Sequence, residues 1–555
     1  MPAPEEPVRR PATPAEIELA MAGLAARFQG LCALEKLEKA SAGDRVDIHC
    51  LKLANPGEPD RPVVMIIGGV HGREYPPPDA LIRFARALLT SFTDKSDTVF
   101  PAMTCRLLGR PPLSLPAFRI PYPTVAKILN RCDVYIVPLV NPDGRLHNMR
   151  HPPSDPVNEG WRKNRRPDPG GVEAKVGVDI ARNFDIAWKF EDYFNLPLYL
   201  QRHEKPPADT VATGTRYRGP SAGSEPETDN VQRLIDAKRP RWFCDVHTFG
   251  RDIATSWGLE WNGATPAMTW RNPVYTGKRD GLPPGDPHLG ALTDYQEYVP
   301  DEPPHRVRTN LREYAESMRN AILRSAGVDL DNHTYSPQRE NSTYSTGQLA
   351  ALYLADKGGP ITGGSVDYAF KAQFEDPARA PVFAFVMEAG HADERAFDPS
   401  YSAADGHWAK IEREICAAMT RMCLLAANHG RLCLVATTVM DTPDHPAVAA
   451  LRRLRDQRLG RRFDRLYGRV SPPIARYLAV RPWARFLVRH CVVAPAALLA
   501  RLLTRNQDHL QTRDEDHLSA KTDDHLAARD EDCLPTRDGE RVSTEDEGRG
   551  DGGDG

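Results

Sequence analysis

Four short apolar runs, each ending abruptly at a turn or at a charged residue, most constrain the fold of this chain. They are Val63–Ile67, Val134–Val140, Trp242–His247 and Val382–Glu388. Each run is rich in β-branched or aromatic residues and too short for a core helix, which is typical of a strand buried on both faces. Segments with helical patterning separate the runs. This alternation predicts an α/β fold with a mixed, mostly parallel central sheet and helices on both faces.

Composition divides the 555 residues into four predicted segments. Residues 1–13 are Pro-rich and predict a flexible N-terminus, and residues 14–430 carry the four runs and predict the main domain. Residues 431–505 predict a basic helical region, since positions 446–505 hold fourteen Arg and only two Asp. Residues 506–555 hold sixteen acidic and six basic residues around a repeated Asp-His-Leu, which predicts a disordered acidic tail.

Local signals predict the bounds of several elements in the main domain. Thr13, Pro14 and Glu16 form the pattern of a capped helix start, which predicts a helix continuing to Phe28. The tetrapeptide Asn141-Pro142-Asp143-Gly144 predicts a turn after the second strand. The Pro-rich stretch 92–124 predicts an irregular surface insertion.

Charge and cysteine usage limit the classes of protein that this chain can represent. The formal net charge is −3, so whole-chain charge does not indicate a nucleic-acid partner. The ten Cys residues are scattered without a CxxC pair, which indicates reduced, mostly buried thiols. The N-terminus has no apolar signal region, and no apolar run approaches the ~18 residues of a spanning helix. We therefore expect a cytoplasmic protein without a transmembrane helix.

Acidic and imidazole side chains stand at the ends of three of the four runs. His71 and Glu74 follow the first run, while His247 and Glu388 end the last two. Because the carboxyl ends of parallel strands meet at one edge of a sheet, we expect these residues to form a single site. Two His and one Glu are the ligands of a common type of catalytic zinc. Glu388 places a carboxylate at the end of an otherwise apolar run. Folding alone explains this poorly, which favours a functional role for Glu388.

Seven short motifs occur in a fixed order along the chain. They are HxxE at 71–74, NPDG at 141–144, WRKNR at 161–165, GVDIARNFD at 177–185, DVHTFG at 245–250, GGSVDY at 363–368 and FVMEAG at 385–390. The series resembles the zinc carboxypeptidases of the M14 family from about residue 14 to about residue 428. Insertions near 92–124, 190–220 and 255–340 interrupt the resemblance. It identifies residues 14–430 as a zinc peptidase domain of mixed α/β fold.

The resemblance implies one zinc ion per chain and assigns its ligands. His71, Glu74 and His247 would hold the metal. Asp179 would accept a hydrogen bond from His71 and so fix the tautomer of that ligand. Glu388 would act as the general base that takes a proton from the attacking water and returns it to the leaving amine.

The same resemblance assigns residues to the peptide substrate. Arg162 would stabilise the oxyanion, and Arg182 would hold the terminal carboxylate through its planar fork. A mobile tyrosine usually precedes the GGS element in this family. Tyr353 is the candidate for that role, with Tyr344 as the alternative. The implied function is a metallocarboxypeptidase that hydrolyses a C-terminal peptide bond.

Two positions bear on the choice of substrate. Family members usually have Asn where this chain has Ala181, so one donor to the terminal carboxylate is missing. Val366 occupies the position that lines the side-chain pocket, and its apolar character argues against a basic C-terminal residue. A zinc amidohydrolase or deacylase acting on a modified peptide or acylated amino acid therefore stays open as an alternative. A catalytically inactive peptide-binding module is a third hypothesis, which the intact ligand and base pattern argues against.

The basic region has a resemblance of its own. Residues 432–503 resemble, in degenerate form, the CFI-box C-terminal region found on diverse bacterial proteins, which suggests a bacterial source. We interpret it as a small helical appendage. Contact of residues 446–505 with an anionic membrane surface is the alternative, because basic amphipathic helices favour such surfaces. The sequence leaves the oligomeric state open.

Overall fold

The computed structural model describes most of residues 10–429 and a small part of the chain beyond them. The gaps before residue 430 are 58–60, 107–111, 153–159, 204, 260–272, 274–275, 280, 282–305, 329, 331–343, 350–359, 376–381 and 392–405. Beyond residue 430, positions 447, 451, 478 and 481–499 are described. The chain divides into two compact units, Met1–Gly430 and Arg431–Gly555.

Twelve strands lie in the described part of the first unit. In chain order β1 to β12 are Cys32–Lys36, His49–Leu53, Val63–Gly68, Thr98–Phe100, Met103–Cys105, Leu113–Leu115, Phe118–Ile120, Asp133–Val137, Trp242–His247, Asp252–Thr255, Ser345–Gln348 and Phe383–Glu388. Eight of them form one sheet in the order β1-β2-β8-β3-β9-β12-β10-β11. The four apolar runs of the sequence supply the four central strands β8, β3, β9 and β12, so their prediction as buried strands is confirmed.

The directions of the strands confirm the predicted mixed sheet. β8, β3, β9 and β12 are parallel neighbours, as are β10 and β11. The pairs β1–β2, β2–β8 and β10–β12 are antiparallel. The parallel centre brings the carboxyl ends of β3, β9 and β12 to one edge, where the site lies.

Helices cover both faces of this sheet. The helices α1 to α9 are Pro14–Arg27, Pro76–Asp94, Tyr122–Arg131, Pro142–Arg150, Leu196–Arg202, Pro226–Lys238, Arg306–Ser325, Ser365–Glu375 and His407–His429. The ring of Trp242 in β9 packs 4.8 Å from Tyr314 of α7. Asp245, three residues on, accepts a hydrogen bond from Ser365 of α8. Because neighbouring side chains of a strand alternate, α7 and α8 lie on opposite faces.

The helix start predicted at Thr13 is confirmed. The Thr13 hydroxyl accepts a hydrogen bond from the amide of Glu16 at 3.2 Å, and the Glu16 carboxylate accepts one from the amide of Thr13 at 2.8 Å. This reciprocal pair satisfies two amides that a helix start leaves without partners. The helix ends at Arg27, with Phe28 as its cap.

Two local predictions were wrong. The predicted turn at Asn141–Gly144 is instead the start of α4, because Asn141 caps the helix and Pro142 fits its first position. The stretch 92–124 is not irregular: β4 pairs with β7 and β5 with β6. Each of these strands has three residues, too few for a visible apolar alternation.

The second unit is described around one helix. Helix α10, Pro482–Val488, continues through a π-helical turn at Arg489–Val493. Ala447, Leu478, Ala484, Val493 and Ala497 form a small apolar cluster, and large apolar residues including Trp483, Phe486 and Leu487 are exposed. The predicted acidic tail and most of residues 431–480 lie outside the described residues. Within the described part of the chain, no helix combines the length and apolar character that crossing a membrane requires.

Candidate active site

Two imidazoles and one carboxylate come together at the carboxyl edge of the central sheet. His71 and Glu74 lie on the turn after β3, and His247 is the last residue of β9. His247 Nδ1 lies 3.1 Å from His71 Nδ1 and 3.0 Å from Glu74 Oε2. His71 Nδ1 lies 2.5 Å from Glu74 Oε1. The three buried side chains therefore present two nitrogens and a carboxylate to one small volume, with donor atoms within 4.8 Å of one another.

The charges in this group depend on one another. Burial alone would favour the protonated form of Glu74, but His71 and His247 hold the pKa of its carboxyl well below its ordinary value. Burial also opposes a charge on His247, but Asp245 and Glu74 raise the pKa of its ring well above the ordinary value. The carboxylates of Glu74 and Asp245 lie beside the two imidazoles. Their negative charges favour a positive charge among the donor atoms, which either a proton or a metal ion could supply.

Asp179 connects the first imidazole to the loop that carries Arg162. Asp179 Oδ1 lies 3.3 Å from Nε2 of His71, the ring nitrogen opposite the one that contacts Glu74. Asp179 Oδ2 accepts a hydrogen bond from Arg162 Nε at 3.0 Å. Burial would raise the pKa of Asp179, but Arg162 and His71 hold it well below its ordinary value. The family resemblance implied the contact with His71, whereas the contact with Arg162 was not predicted.

Glu388 is fixed beside His247 by the register of the sheet. β9 and β12 are parallel neighbours, and His247 and Glu388 are paired as the final residues of the two strands. Burial raises the pKa of Glu388 to about 8, against the charges of His247 and Arg162 and together with that of Glu74. A carboxyl group with such a pKa can exchange a proton near neutral pH.

One pocket opens beside these groups. It is lined by His71, Arg162, Ala181, Arg182, Asp245, His247, Leu349, Ile361, Gly364, Ser365, Val366, Asp367, Val386 and Glu388. Arg182 belongs to the short 3-10 turn Ile180–Arg182, which Asp179 caps by accepting a hydrogen bond from the amide of Ala181 at 3.1 Å. The two arginines and the candidate base thus share one pocket with the imidazoles.

Much of the pocket wall is apolar, through Leu349, Ile361, Val366 and Val386. The Asp367 carboxylate accepts backbone hydrogen bonds of 2.9 to 3.0 Å from the two residues Gly258 and Leu259. Burial raises the pKa of Asp367 to about 6, despite these bonds. Among the described residues that line the pocket, none carries a side-chain amide.

Backbone contacts hold the three loops around the pocket in place. A side chain at Gly72 would put its Cβ 2.4 Å from the backbone of Gly144, so the HxxE and NPDG segments pack main chain on main chain. The amide of Gly72 donates to the carbonyl of Arg162 at 3.1 Å. The Asn141 side-chain amide donates to Val70 and Lys163 carbonyls, each at 3.1 Å. The NPDG motif therefore positions both the HxxE loop (residues 71–74) and the Arg162 loop (residues 161–165).

Asp245 is a site residue that the sequence reasoning did not assign. Its Oδ1 lies 3.0 Å from His247 Nε2, an ion-pair contact. The signal was present, since residues two apart on a strand face the same side and the DVH motif places an acid beside the imidazole. The spacing did not reveal which ring nitrogen the acid would face.

The two tyrosine candidates are not both accounted for. Tyr353 lies outside the described residues. Tyr344 is 1% exposed, and its hydroxyl donates to Glu414 at 2.8 Å and accepts a hydrogen bond from the amide of Gly390 at 3.1 Å. Tyr344 is therefore engaged in the protein interior and is not among the residues that line the pocket.

Comparison with known proteins assigns the chain to a family. The family model for zinc carboxypeptidases matches residues 17–409, and the chain belongs to that family of metallopeptidases. The family expected from the seven motifs is confirmed. Human carboxypeptidase O is 24% identical over 217 residues, which are 39% of this chain and 45% of that protein. Mouse carboxypeptidase A2 is 26% identical over 246 residues, 44% of this chain and 46% of the relative.

A fungal relative and two solved structures complete the comparison. A metallocarboxypeptidase A-like protein of Trichophyton verrucosum is 30% identical over 145 residues, 25% of this chain and 29% of that protein. The matched stretches thus span less than half of these curated relatives. Bovine thrombin-activatable fibrinolysis inhibitor has a TM-score of 0.45 at 15% identity, covering 75% of this chain and 97% of that one. Carboxypeptidase A from Helicoverpa armigera has a TM-score of 0.44 at 19% identity, covering 74% of both chains.

Proposed function

We propose that this protein is a zinc-dependent metallocarboxypeptidase that removes the C-terminal residue of a peptide, with Glu388 as its general base. One observation carries the proposal: the pairing of Glu388 with His247 at the ends of neighbouring strands. That pairing joins a carboxyl group whose pKa is raised to about 8 to a buried group of two imidazoles and a carboxylate. Membership of the zinc carboxypeptidase family supports the same conclusion.

The donor set fits one zinc ion. Zinc bonds of ~2.0–2.2 Å in tetrahedral geometry separate ligand atoms by about 3.3 Å. The distances of 3.1 Å from His247 to His71 and 3.0 Å from His247 to Glu74 are close to that value, and the 2.5 Å between His71 Nδ1 and Glu74 Oε1 is shorter. Three protein ligands leave one position open, as catalytic zinc sites do. Bound zinc would acidify the attacking water, polarise the scissile carbonyl and lower the pKa of Glu388.

The remaining chemistry belongs to side chains of the pocket. Glu388 takes a proton from the attacking water and delivers it to the nitrogen of the leaving amine. The Arg162 guanidinium, held by Asp179 at 3.0 Å, donates hydrogen bonds to the oxygen that becomes negatively charged on the tetrahedral carbon. Arg182 binds the terminal carboxylate of the substrate by a charge-assisted pair. Because Asp179 already holds the Arg162 side chain in place, the guanidinium does not have to reorient when the negative charge develops.

The pocket wall supports an apolar C-terminal residue in the substrate. Val366 lies in the wall with Leu349 and Ile361, and burying an apolar side chain there gains roughly 25 cal/mol per Å². The Asp367 carboxylate already accepts hydrogen bonds from two backbone amides, which engages the acid that could otherwise attract a basic residue. A peptide ending in Leu or Phe is therefore the preferred test substrate.

A second candidate function rests on Ala181. Without the amide that family members usually carry, Arg182 has less help in demanding a free carboxylate. A zinc amidohydrolase or deacylase acting on a modified peptide or an acylated amino acid would use the same ligands and the same base. The two functions differ in whether a blocked C-terminus is accepted.

The test combines metal analysis with paired substrates. We expect one zinc per purified chain, loss of hydrolysis after removal of the metal by a chelator, and recovery when zinc is returned. Peptides with a free C-terminal Leu should be cleaved, and their amidated or acylated counterparts should be cleaved more slowly. Faster cleavage of the blocked compounds would favour the amidohydrolase. A chain that binds zinc but hydrolyses neither set would indicate a binding module, and a chain without stoichiometric zinc would contradict the proposal.

A further inference from the structure

A buried carboxylate stands behind His247 on the side away from the ligand group. His247 Nδ1 faces Glu74 Oε2 at 3.0 Å, and its Nε2 lies 3.0 Å from Asp245 Oδ1. Asp245 is 1% exposed. The ring is thus held between two carboxylates, with one nitrogen turned toward the other donor atoms and one toward Asp245. A carboxylate in that position fixes the tautomer and orientation of a ligating imidazole and increases its basicity.

Asp245 is itself oriented by the substrate pocket. The Ser365 hydroxyl donates a hydrogen bond to Asp245 Oδ2 at 2.5 Å, so the two carboxylate oxygens have separate partners. Ser365 is buried, begins α8 and directly precedes the pocket residue Val366. The GGSVDY motif therefore contacts the metal ligand through a single intervening side chain.

We propose that Asp245 is a positioning residue for His247 and that Ser365 sets the orientation of Asp245. The pocket segment and the metal ligand are then connected through Ser365, Asp245 and His247. This inference rests on the proposed function, since it assigns His247 to the metal. It gives each imidazole its own supporting carboxylate: Asp179 stands at 3.3 Å from His71, and Asp245 at 3.0 Å from His247.

The competing explanation is that the Ser365–Asp245 bond only joins α8 to β9. Zinc affinity and the absorption spectrum of a bound metal separate the two explanations. Loss of a purely structural bond would lower the stability against unfolding but would leave the coordination of the metal unchanged. The chain also offers a matched control in the same segment. The Ser256 hydroxyl donates to the carbonyl of Val366 at 3.3 Å, so its removal alters this loop without altering the contact of Ser365 with Asp245.

The experiment uses the full chain and the variants Asp245→Asn, Ser365→Ala, Ser365→Thr and Ser256→Ala. Zinc dissociation constants are measured by competition with a chromophoric chelator, and visible absorption spectra are recorded after substitution with cobalt(II). Thermal unfolding of the metal-free proteins checks that each variant folds. We expect Asp245→Asn to weaken zinc binding by about 10- to 100-fold and to shift the cobalt spectrum. Ser365→Ala should do the same to a smaller extent, Ser365→Thr should restore both readouts, and Ser256→Ala should leave them unchanged.

The outcomes distinguish this inference from the function on which it rests. Wild-type zinc affinity and an unchanged cobalt spectrum in Asp245→Asn would overturn the positioning role while leaving the proposed function intact. Failure of the wild-type chain to bind zinc would instead overturn the proposed function. If Asp245→Asn does not fold, Ser365→Ala and Ser365→Thr decide: equal zinc affinity and equal spectra in the two variants contradict the proposal.

Discussion

Asp179 accepts a hydrogen bond from Arg162 at 3.0 Å with one oxygen, while its other oxygen lies 3.3 Å from His71. One buried carboxylate therefore supports both the candidate metal ligand and the candidate oxyanion donor. Its position in the GVDIARNFD motif also makes it the cap of the turn that carries Arg182. Under the proposed function, metal binding and transition-state stabilisation would therefore share a single support.

This sharing predicts a double defect in Asp179→Asn. Zinc affinity should fall by about 10- to 100-fold, because the support of His71 is weakened. At saturating zinc, kcat/KM should stay below the wild-type value, because Arg162 has lost its charged partner. Chelator competition and steady-state kinetics measure the two effects separately. Arg162→Ala is the control that should lower kcat/KM and keep wild-type zinc affinity, and full recovery of Asp179→Asn by zinc alone would contradict the second defect.

Replacing the candidate base should separate chemistry from metal binding. Glu388→Gln should retain zinc and lower kcat by about 10²–10⁴-fold, because Gln cannot accept a proton from the attacking water. His247→Ala should instead lose metal. Zinc content by elemental analysis and kcat on a peptide ending in Leu test both statements. A near-wild-type rate in Glu388→Gln would show that another group is the base.

Ala181→Asn should sharpen the demand for a free C-terminal carboxylate. A hydrogen bond to a charged group contributes roughly 1.5–3 kcal/mol, so the restored amide should raise discrimination by about one to two powers of ten. The measurement is kcat/KM on matched free and amidated peptides in the wild type and the variant, since this ratio reports transition-state binding. If the wild type already rejects the amide by several powers of ten and the variant adds nothing, a donor elsewhere in the chain performs this role.

A pH dependence of stability is expected from Glu227, whose buried carboxyl group contacts Asn164 in the Arg162 loop. Its carboxylate accepts hydrogen bonds from the amide of Ala42 at 2.8 Å and the side chain of Asn164 at 3.0 Å. Burial raises its pKa from 4.5 to about 8, and nearby Glu225 adds to the effect. The folded state thus holds a proton that the unfolded state has released. This contribution to stability is complete below about pH 4.5 and is lost as pH rises to about 8.

Urea unfolding between pH 5 and 8 tests this expectation. The wild-type free energy of unfolding should decline across the range by a few kcal/mol, on the order of 1.4 kcal/mol per unit of pKa difference. Glu227→Gln should make the decline shallower, and the remaining part should come from groups such as Glu388 and Asp367, whose pKa values burial also raises. Glu173→Gln is the control: the Glu173 carboxylate is 70% exposed and its pKa is lowered, so its titration is complete below this window. An equal slope in the wild type and Glu227→Gln would assign the dependence to other groups.

The first unit should function without the rest of the chain. Helix α9 ends at His429, and the compact unit ends at Gly430. A chain ending there should unfold cooperatively and keep the kcat/KM of the full chain. Circular dichroism melting and peptide hydrolysis are the measurements. An insoluble or inactive product, beside an active full chain, would show that the basic region completes the fold or the site.

The central strands were predictable because burial on both faces leaves an unbroken apolar run. Their polar ends were equally visible, so the gathering of His71, Glu74, His247 and Glu388 at one edge could be predicted. The register that pairs His247 with Glu388 could not, because strand pairing between distant segments leaves no local pattern. Sequence likewise indicated the Asn141 turn chemistry but not that a helix would follow, since Asn and Pro favour both structures.

Contacts through main-chain atoms escaped prediction for a different reason. The approach of Gly72 to Gly144 and the bonds from Asn141 to two loop carbonyls involve no complementary side-chain pair that a sequence displays. The support of Arg162 by Asp179 was missed because the arginine was assigned to the substrate alone. Each of these contacts joins segments that are adjacent only after the chain has folded.

The pairing of His247 with Glu388 on two interior strands has a consequence for protein engineering. Main-chain hydrogen bonds between β9 and β12 set the spacing of the proposed ligand and the proposed base, and this spacing does not depend on the sequence of the surrounding loops. Loops tolerate exchange better than the strands they connect. Substrate selectivity could therefore be redesigned by grafting new loops around the rim of the pocket while the ends of β9 and β12 are kept unchanged.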